Sequence, residues 1–267
     1  MRQAIAAALA AAFVLAAGPA PAQDPAARPT PSAAERTEAF AKLPYWPGYW
    51  ISEQYANTTI GGFAAPRPAG SPPLQRLNGF NAPYNDEGKA RQAEAARTRG
   101  GRRADGWGYP MMMDAATPFQ VMITPEETMI VNAYGETRHI YTDGRPLPAA
   151  EDMWPTVWGT SIGHWEGNAL VIETVQVQMP YTYFHGGPTF SEEATYRERI
   201  HMDGERLVME MSVEDPVTLT GPWSATITHV REQAFDRMVQ MDFSNDRTGS
   251  ENGINTIEPP ADEAGGQ

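Results

Sequence analysis

The stretch that decides the fold is ATYRERIHMDGERLVMEMSVE, residues 194–214. Two runs of alternating apolar and polar side chains flank Asp203-Gly204, and this arrangement predicts a β-hairpin with a two-residue turn. Such a turn pairs Ile200 with Leu207 and directs the mostly apolar face of both strands toward the interior. Glu198 lies on that same face, so the hairpin is expected to place a carboxylate among apolar side chains.

The chain on both sides of this hairpin has the same strand character. Short runs rich in β-branched and aromatic residues are separated by turn residues such as Asp143-Gly144 and Gly167-Asn168. The predicted strands are Phe119–Ile123, Thr128–Ala133, Glu136–Tyr141, Ser161–Trp165, Ala169–Gln178, Ala194–Met202, Glu205–Glu214, Ser224–Glu232 and Asp236–Phe243. No alternation of strands with helices is visible, so the pattern predicts a mainly all-β fold, either an antiparallel β-barrel or a curved sandwich, with short helices before it.

The N-terminal residues have the composition of an export signal. Arg2 supplies a positive start, Ala4–Ala17 is an apolar run, and Ala20-Pro21-Ala22 has the small residues at which a signal peptidase cleaves. The apolar run is shorter than a membrane-spanning helix needs. Residues 1–22 are therefore predicted to be a cleaved signal peptide, and the protein is expected to be periplasmic or secreted.

Two helices are expected before the strands. Ser32 with Glu35 has the pattern of a capping box and begins a helix that reaches about Lys42. Asn85 begins a polar helix that reaches about Arg99. The expected division is 1–22 signal peptide, 23–43 lead-in and short helix, 44–106 Gly/Pro-rich segment with the polar helix, 107–243 antiparallel β domain and 244–267 disordered tail.

The composition excludes several classes of function. The chain has no Cys, so disulfides, thiolate catalysis and Cys-based metal sites are absent. Its net charge of −13 disfavours nucleic acid and anionic membrane surfaces as partners. After the first residues no stretch approaches the ~18 apolar residues of a membrane span. No P-loop, G-x-S-x-G elbow or dinucleotide-binding glycine fingerprint is present. A small molecule is therefore the expected partner, and no cofactor is expected; the oligomeric state stays open.

The first candidate site is built on Glu198. A carboxylate in an apolar environment must be paired, become protonated or line a wet cavity. A raised pKa would suit it to general acid or base catalysis, whereas a structural Glu–Arg pair is the alternative interpretation. Arg138 is a candidate for the neutralising cation, and Tyr196 is a second candidate for contact with ligand or developing charge.

The second candidate site is the segment around His164. With any two-residue turn between the two strands, His164 falls on the same face of the hairpin as Glu173, whereas a three-residue loop would place it on the opposite face. If that face is the inner one, the two side chains form an acid–base pair, and a hydrogen-bonded core histidine is the alternative. Trp165, the neighbour of His164, is a candidate ligand-binding residue.

Two further groups of residues complete the candidates. His139 and Tyr141 share one face of their strand, and either face of that strand could be the inner one. Tyr183 and His185 lie in an aromatic loop, where ligand contacts are common in β proteins. Met111-Met112-Met113 favours an adaptable apolar pocket, with ordinary core packing as the alternative. No two of the five His have metal-ligand spacing, so no metal site is predicted.

These segments resemble a large group of exported, mostly uncharacterised bacterial proteins. The resemblance rests on the RHIYTDGR motif at 138–145 and the GHWEGN motif at 163–168, and it covers about residues 105–235. Many members of that group have Asp where this chain has Asn168. Gly48-Tyr49-Trp50 is also similar to the Gly-x-Trp that opens calycin and lipocalin barrels. That second resemblance implies a site in the mouth and lumen of a barrel, suited to a small apolar or aromatic molecule.

Three functions are compatible with these observations. The leading hypothesis is a periplasmic protein whose β cavity binds an apolar or aromatic small molecule. The alternative is a cofactor-independent lyase, isomerase or hydrolase in which Glu198, His164, His139 or Glu173 moves the proton. The third is a structural or carbohydrate-contacting surface module, whose aromatic side chains would lie on an exposed face.

Overall fold

The fold is a closed β-barrel of nine strands. The computed structural model describes residues 30–58, 64–98, 107–178, 187–234, 236–238, 248–251 and 254–257. The barrel strands are β1 (Tyr49–Ser52), β2 (Phe119–Ile123), β3 (Glu127–Asn132), β4 (Thr137–Tyr141), β5 (Thr160–Glu166), β6 (Ala169–Val175), β7 (Thr195–Asp203), β8 (Arg206–Glu214) and β9 (Trp223–Arg231). The all-β fold class is confirmed, and of the two expected architectures the barrel is the one formed.

Closure depends on a strand that the predicted division placed outside the β domain. β1 pairs with β2 on one side and with β9 on the other, which joins the two ends of the meander. It begins directly after Gly48, within the Gly-x-Trp segment. The β domain therefore starts before residue 107 and includes part of the segment 44–106 that was predicted to be Gly/Pro-rich with a polar helix.

One strand pair departs from the antiparallel expectation. β4 and β5 are parallel, with Ile140 opposite Ser161. Parallel neighbours cannot be joined by a tight turn, and here the connection 142–159 carries the chain from one end of the barrel to the other. A short 3-10 helix, Ala150–Asp152, lies within this connection.

The β7–β8 hairpin has the predicted faces but a different register. Asp203 pairs with Arg206, so the turn residues are Gly204-Glu205 rather than Asp203-Gly204. Gly204 has a φ of +57°, a left-handed conformation that glycine adopts without steric cost. Ile200 consequently lies opposite Met209 instead of Leu207. A shift by two residues leaves every side chain on its predicted face.

The two ends of the barrel differ in their connections. One end, called here the turn end, carries the short turns 124–126, 167–168 and 204–205 between successive strands. The opposite end, called the cap end, carries the long connections that precede β2, β7 and β9. The connection before β2 includes α2 and a 3-10 helix, Met111–Asp114, whose residues are all buried.

Both predicted helices form. α1 (Ala33–Ala41) begins after Ser32, whose side chain accepts from the backbone N–H of Glu35 in the predicted capping box. α2 (Asp86–Thr98) begins after Asn85, whose Oδ1 accepts from Gly88 N at 3.0 Å. No described helix combines the length and the apolar character needed to cross a bilayer.

The C-terminal expectations are only partly met. The predicted strand Asp236–Phe243 is not a strand over 236–238, and its remaining residues lie outside the described ranges. The stretch from 244, predicted to be a disordered tail, contains two paired strands, β10 (Thr248–Glu251) and β11 (Ile254–Ile257). The predicted signal peptide also lies outside the described residues.

Candidate functional site

An ion pair between Arg138 of β4 and Glu198 of β7 lies inside the barrel. Both side chains are 0% exposed. Arg138 Nη1 donates to Glu198 Oε1 at 3.1 Å, and Nη2 donates to Oε2. This bidentate arrangement is the strongest geometry for an arginine–carboxylate pair. Glu198 thus faces the interior as the hairpin pattern predicts, and Arg138 neutralises it.

Strand alternation explains why both charges point inward. Glu198 lies opposite Ile172 on β6 and Met211 on β8, and both of these side chains are buried. Arg138 lies opposite the buried Ile130 on β3. The charges are therefore surrounded by apolar wall residues, where electrostatic interactions are stronger than in water.

Two hydroxyl groups complete the polar cluster. Arg138 Nη2 donates to Thr174 Oγ1 at 2.9 Å and to Ser161 Oγ at 3.5 Å. These hydroxyls contact each other at 2.8 Å, and both residues are buried. Neither was predicted from the sequence, and alternation gave no signal for Thr174, because both faces of β6 carry apolar residues.

Tyr109 covers the ion pair from the cap end. Its ring centroid is 4.2 Å from the Arg138 guanidinium carbon, a cation–π distance, and 5.0 Å from the ring of Tyr196 at a steep angle. Burial and the nearby Glu198 carboxylate hold the pKa of Tyr109 well above its ordinary value. Burial alone would lower the pKa of Arg138, but the Glu198 carboxylate outweighs it and raises that pKa. Both groups therefore keep their ordinary protonation states at neutral pH.

Tyr109 belongs to a segment that enters the barrel, residues 107–114, called here the cap. Glu136, in the β3–β4 turn, accepts from Trp107 N at 2.5 Å and from Gly108 N at 3.3 Å, which anchors the start of the cap. Burial raises the pKa of this carboxyl. Met111, Met112 and Met113 are all buried in the main core cluster. The methionines thus fill the cap end of the interior, and no signal in the sequence indicated that Tyr109 would lie over Arg138.

The end of the cap holds another buried carboxylate, Asp114. It accepts from Ser52 Oγ at 2.8 Å and from Leu77 N at 2.8 Å, and it also contacts Gln54. Burial is the largest influence and raises the pKa of Asp114 to about 6 despite these donors. Asp114 therefore titrates close to neutral pH, although it holds the cap in place and does not contact the Arg138 cluster.

His229 fixes the cap to β8 and β9. Its two ring nitrogens lie 3.1 Å from Leu207 O and 2.6 Å from Met113 O. Burial lowers the pKa of His229, and the two carbonyl contacts oppose this effect. Because both neighbours are backbone carbonyls, His229 connects elements of the fold and presents no free ring nitrogen.

The predicted inward pair of His164 and Glu173 does not form. The two residues do share a face, as the two-residue turn at Gly167-Asn168 requires, but that face is the outer one. His164 is exposed and lies 3.4 Å from Glu166, while Glu173 lies 3.7 Å from Arg197. The expectation of an inward acid–base pair is therefore wrong. The inner face of β5 carries Ser161, Gly163 and Trp165 instead.

His139 and Tyr141 also lie on the outer wall. Their strand directs Arg138 and Ile140 inward, which settles the face that the sequence left open. His139 Nδ1 lies 3.0 Å from Glu127, and the Arg145 guanidinium covers the ring of Tyr141 at 4.0 Å. These two candidates therefore do not reach the Arg138–Glu198 pair.

The remaining candidate ligand-binding residues are of two kinds: two belong to the described part of the chain, and two lie outside the described residues. Tyr196 is fully buried beside Tyr109. Trp165 is half-buried at the turn end, where it packs edge to face on Trp46 with a centroid distance of 5.3 Å. Tyr183 and His185 lie outside the described residues.

A shallow cleft of about 370 Å³ lies on the outer wall near the turn end. It is lined by Glu166, Asn168, Ala169, Arg199, His201, Met202 and Glu210. Arg199 donates to Glu166 at 2.6 Å, and Glu166 also contacts His164. The hydrogen bonds from Arg199 and His164 lower the pKa of Glu166. The central charges of this cleft are thus already paired.

Within the described ranges, no group of three or more His, Asp and Glu side chains is arranged to hold a metal ion. Comparisons with protein-family models, curated proteins and solved structures found no match. The resemblances noted in the sequence therefore remain predictions.

Proposed function

We propose that this protein is an exported binding protein that holds a small aromatic or apolar molecule inside the barrel. The polar anchor for the ligand is the Arg138–Glu198 pair. The observation that carries the proposal is this fully buried ion pair, which lies in an apolar barrel beneath the ring of Tyr109. Export to the periplasm follows from the signal peptide predicted over residues 1–22.

The energetics of the pair favour a functional role. Removing two charges from water is expensive, and replacing a buried ion pair by apolar residues of similar volume is often neutral or stabilising. The interior already contains abundant apolar packing from its aromatic and methionine residues. Stability alone therefore gives no reason for Arg138 and Glu198, whereas a few polar groups in an apolar wall are typical of small-molecule sites.

The contacts of Arg138 indicate the chemistry of the ligand. The guanidinium has a ring on its face, at 4.2 Å, and hydroxyl and carboxylate acceptors at its edge. An aromatic ligand placed where the Tyr109 ring lies would make the same cation–π contact. A polar substituent on that ligand would reach Ser161 and Thr174.

The cap supplies the route of entry. Tyr109 and the three methionines that follow it would have to yield to an incoming ligand. Methionine side chains are unbranched and adapt to differently shaped apolar partners. Movement of residues 107–114 away from the Arg138 cluster would open the interior without breaking the strand ladder of the barrel.

The structure favours binding over the enzymatic alternative. Among the described residues, the histidines proposed to transfer protons, His139 and His164, lie on the outer wall, and Glu198 is held by Arg138. The surface-module hypothesis needs its aromatic residues on one exposed face. Most of the described aromatic side chains lie in the core, and the large exposed ones, which are Phe40, Tyr45, Phe80 and Trp154, lie outside the barrel strands.

The test is a fluorescence titration with 8-anilinonaphthalene-1-sulfonate, an aromatic probe with an acceptor group. The variant is the double substitution Arg138→Met, Glu198→Met, which keeps the volume and removes both charges. We expect wild type to bind the probe saturably and the double variant to bind at least tenfold more weakly. Its free energy of unfolding should be equal to or above that of wild type.

The matched control replaces an arginine–glutamate pair on the outer wall, Arg199→Met with Glu166→Met. This variant should bind the probe as wild type does. Equal binding by the interior double variant and wild type would overturn the proposal. The single variant Glu198→Gln leaves Arg138 buried without its charged partner, and this should lower the free energy of unfolding by about 3–5 kcal/mol. The single variant therefore measures the effect of breaking the pair on folding, and the double variant measures the effect of removing the pair on binding.

A further inference from the structure

The turn end of the barrel holds three buried N–H donors without an acceptor among the described residues. They are the indole Nε1 of Trp50, the indole Nε1 of Trp165 and the Nε of Arg231. A buried donor that has lost water and gained no partner is unfavourable, and native proteins contain few of them. Three at one end of one barrel therefore need an explanation.

Trp50 and Arg231 lie next to each other on the inner wall. They are directly opposite residues of β1 and β9, so their side chains leave the sheet on the same face. The Arg231 guanidinium carbon lies 5.1 Å from the centroid of the Trp50 ring system, and Trp50 is 0% exposed. The Arg231 guanidinium thus lies beside the buried Trp50 indole, because the two residues are direct neighbours across the strand pair.

Trp165 contributes to the same end from β5. It faces the interior opposite Leu170 of β6 and packs against the main core cluster. Met202 of β7 and Ile123 of β2 are also half-buried there and face inward. Trp46, which is buried, packs on Trp165 here, whereas the Arg231 side chain is 39% exposed and so reaches solvent.

The indoles at the cap end have ordinary partners. Trp107 Nε1 donates to Thr117 Oγ1 at 3.1 Å, and Trp223 Nε1 donates to Asn81 Oδ1 at 3.2 Å. A buried indole in this protein can thus find an acceptor, whereas those of Trp50 and Trp165 have none among the described residues.

Arg231 has only a loose ion pair among the described residues. Arg231 Nε lies 3.9 Å from the Glu205 carboxylate, and the two side chains are 39% and 88% exposed. That distance is too long for a hydrogen bond, and an exposed pair of this kind contributes little. Arg231 therefore keeps a charge and a donor for another partner.

We infer that the turn end is a binding site for a carboxylate, formed by Arg231 with the indoles of Trp50 and Trp165. All three groups are donors and one is cationic, so the complementary ligand is an anion with acceptor oxygens. The site lies at the opposite end of the barrel from the Arg138 cluster and does not depend on the function proposed above.

The experiment follows the indole N–H signals of the ¹⁵N-labelled protein by NMR. Sodium acetate is the probe, and sodium chloride at equal ionic strength is the reference. Trp→Phe variants assign the signals of the seven Trp residues. We expect the Trp50 and Trp165 signals to shift saturably with acetate but not with chloride, while the Trp107 and Trp223 signals stay in place.

Arg231→Gln provides the second measurement. It should raise the half-saturating acetate concentration at least fivefold while the Trp107 and Trp223 signals remain at their wild-type positions, which verifies the fold. Absence of a saturable shift in wild type would overturn the inference. The inference is equally overturned if all indole signals move together, or if Arg231→Gln binds acetate as wild type does.

Discussion

Asp114 shows how burial outweighs hydrogen bonding at the scale of one residue. Donors from Ser52, Gln54 and Leu77 all favour its charged form, yet its pKa is raised to about 6 because the carboxyl is buried. In the unfolded chain the same carboxyl titrates near its ordinary value of 3.8. The folded state therefore binds the proton more tightly, and the stability linked to Asp114 is lost as the pH rises from about 4 toward 7.

We predict that Asp114 alone lowers the free energy of unfolding by about 2 kcal/mol between pH 4 and pH 7. Urea denaturation of wild type and Asp114→Asn across this range measures the effect. The variant removes the titration, so its stability should fall less with pH than that of wild type, whatever constant offset the substitution adds. Parallel pH profiles for the two proteins would contradict the prediction.

At the scale of elements, the short turns and the long connections obey different constraints. Gly167 lies in the turn between β5 and β6 with a φ of +61°, and a Cβ there would have open space around it. Gly159 precedes β5 with a φ of +65°, but a Cβ there would lie 2.5 Å from Val175 O and 2.8 Å from Val177 Cγ2. The connection that carries the chain between parallel β4 and β5 thus ends in close contact with β6.

The matched pair Gly167→Ala and Gly159→Ala separates conformational strain from steric overlap. We expect Gly167→Ala to cost about 1 kcal/mol, the cost of a left-handed conformation for a residue with a Cβ. Gly159→Ala should cost about 3 kcal/mol or more, because a backbone carbonyl cannot move away cheaply. Thermal or urea denaturation measures both losses of stability. Equal losses for the two variants would contradict the prediction, because they would show that the Val175 carbonyl moves away from the new Cβ at no cost in free energy.

At the scale of the whole molecule, closure of the barrel couples all nine strands. β1 is only four residues long, but it joins β2 to β9 and leaves the barrel with no free edge. The main core cluster also extends through both ends of the barrel, from Trp46 to Trp223. Neither half of the sheet therefore has a core of its own.

We predict that the barrel unfolds in a single cooperative transition. Tryptophan fluorescence reports on packing at both ends, and far-UV circular dichroism reports on the strands. The two signals should have the same urea midpoint, and Arg199→Met with Glu166→Met on the outer wall should leave that coincidence intact. Separate midpoints would show that the cap end and the turn end unfold independently.

Much of the candidate site was readable from local pattern. Alternation of period two places Glu198 inside, whereas both faces of β6 carry apolar residues and alternation left its inner face open. The turn of the β7–β8 hairpin lies one residue further along than predicted, and this shifts the pairing of the two strands by two residues. Each side chain nevertheless stays on its predicted face, because side chains alternate with a period of two. Capping chemistry at Ser32 likewise located the start of α1.

The assignments that failed depend on partners far away in the chain. The sequence of β5 is compatible with either face inward, and pairing with β4 and β6 directs Trp165 inward and His164 outward. The position of Tyr109 over Arg138 likewise comes from a loop that enters the barrel. A loop has no repeating pattern of apolar and polar residues from which such a position could be predicted.

The sequence by itself therefore determined strands β2 to β9 approximately, the fold class and the inward carboxylate, because each rests on neighbours within a few residues. Only the tertiary structure decided that the sheet closes as a barrel, that β4 and β5 are parallel, and which candidates meet. Those outcomes depend on contacts between segments far apart in the chain, and no local propensity encodes which of the possible pairings buries the most apolar surface.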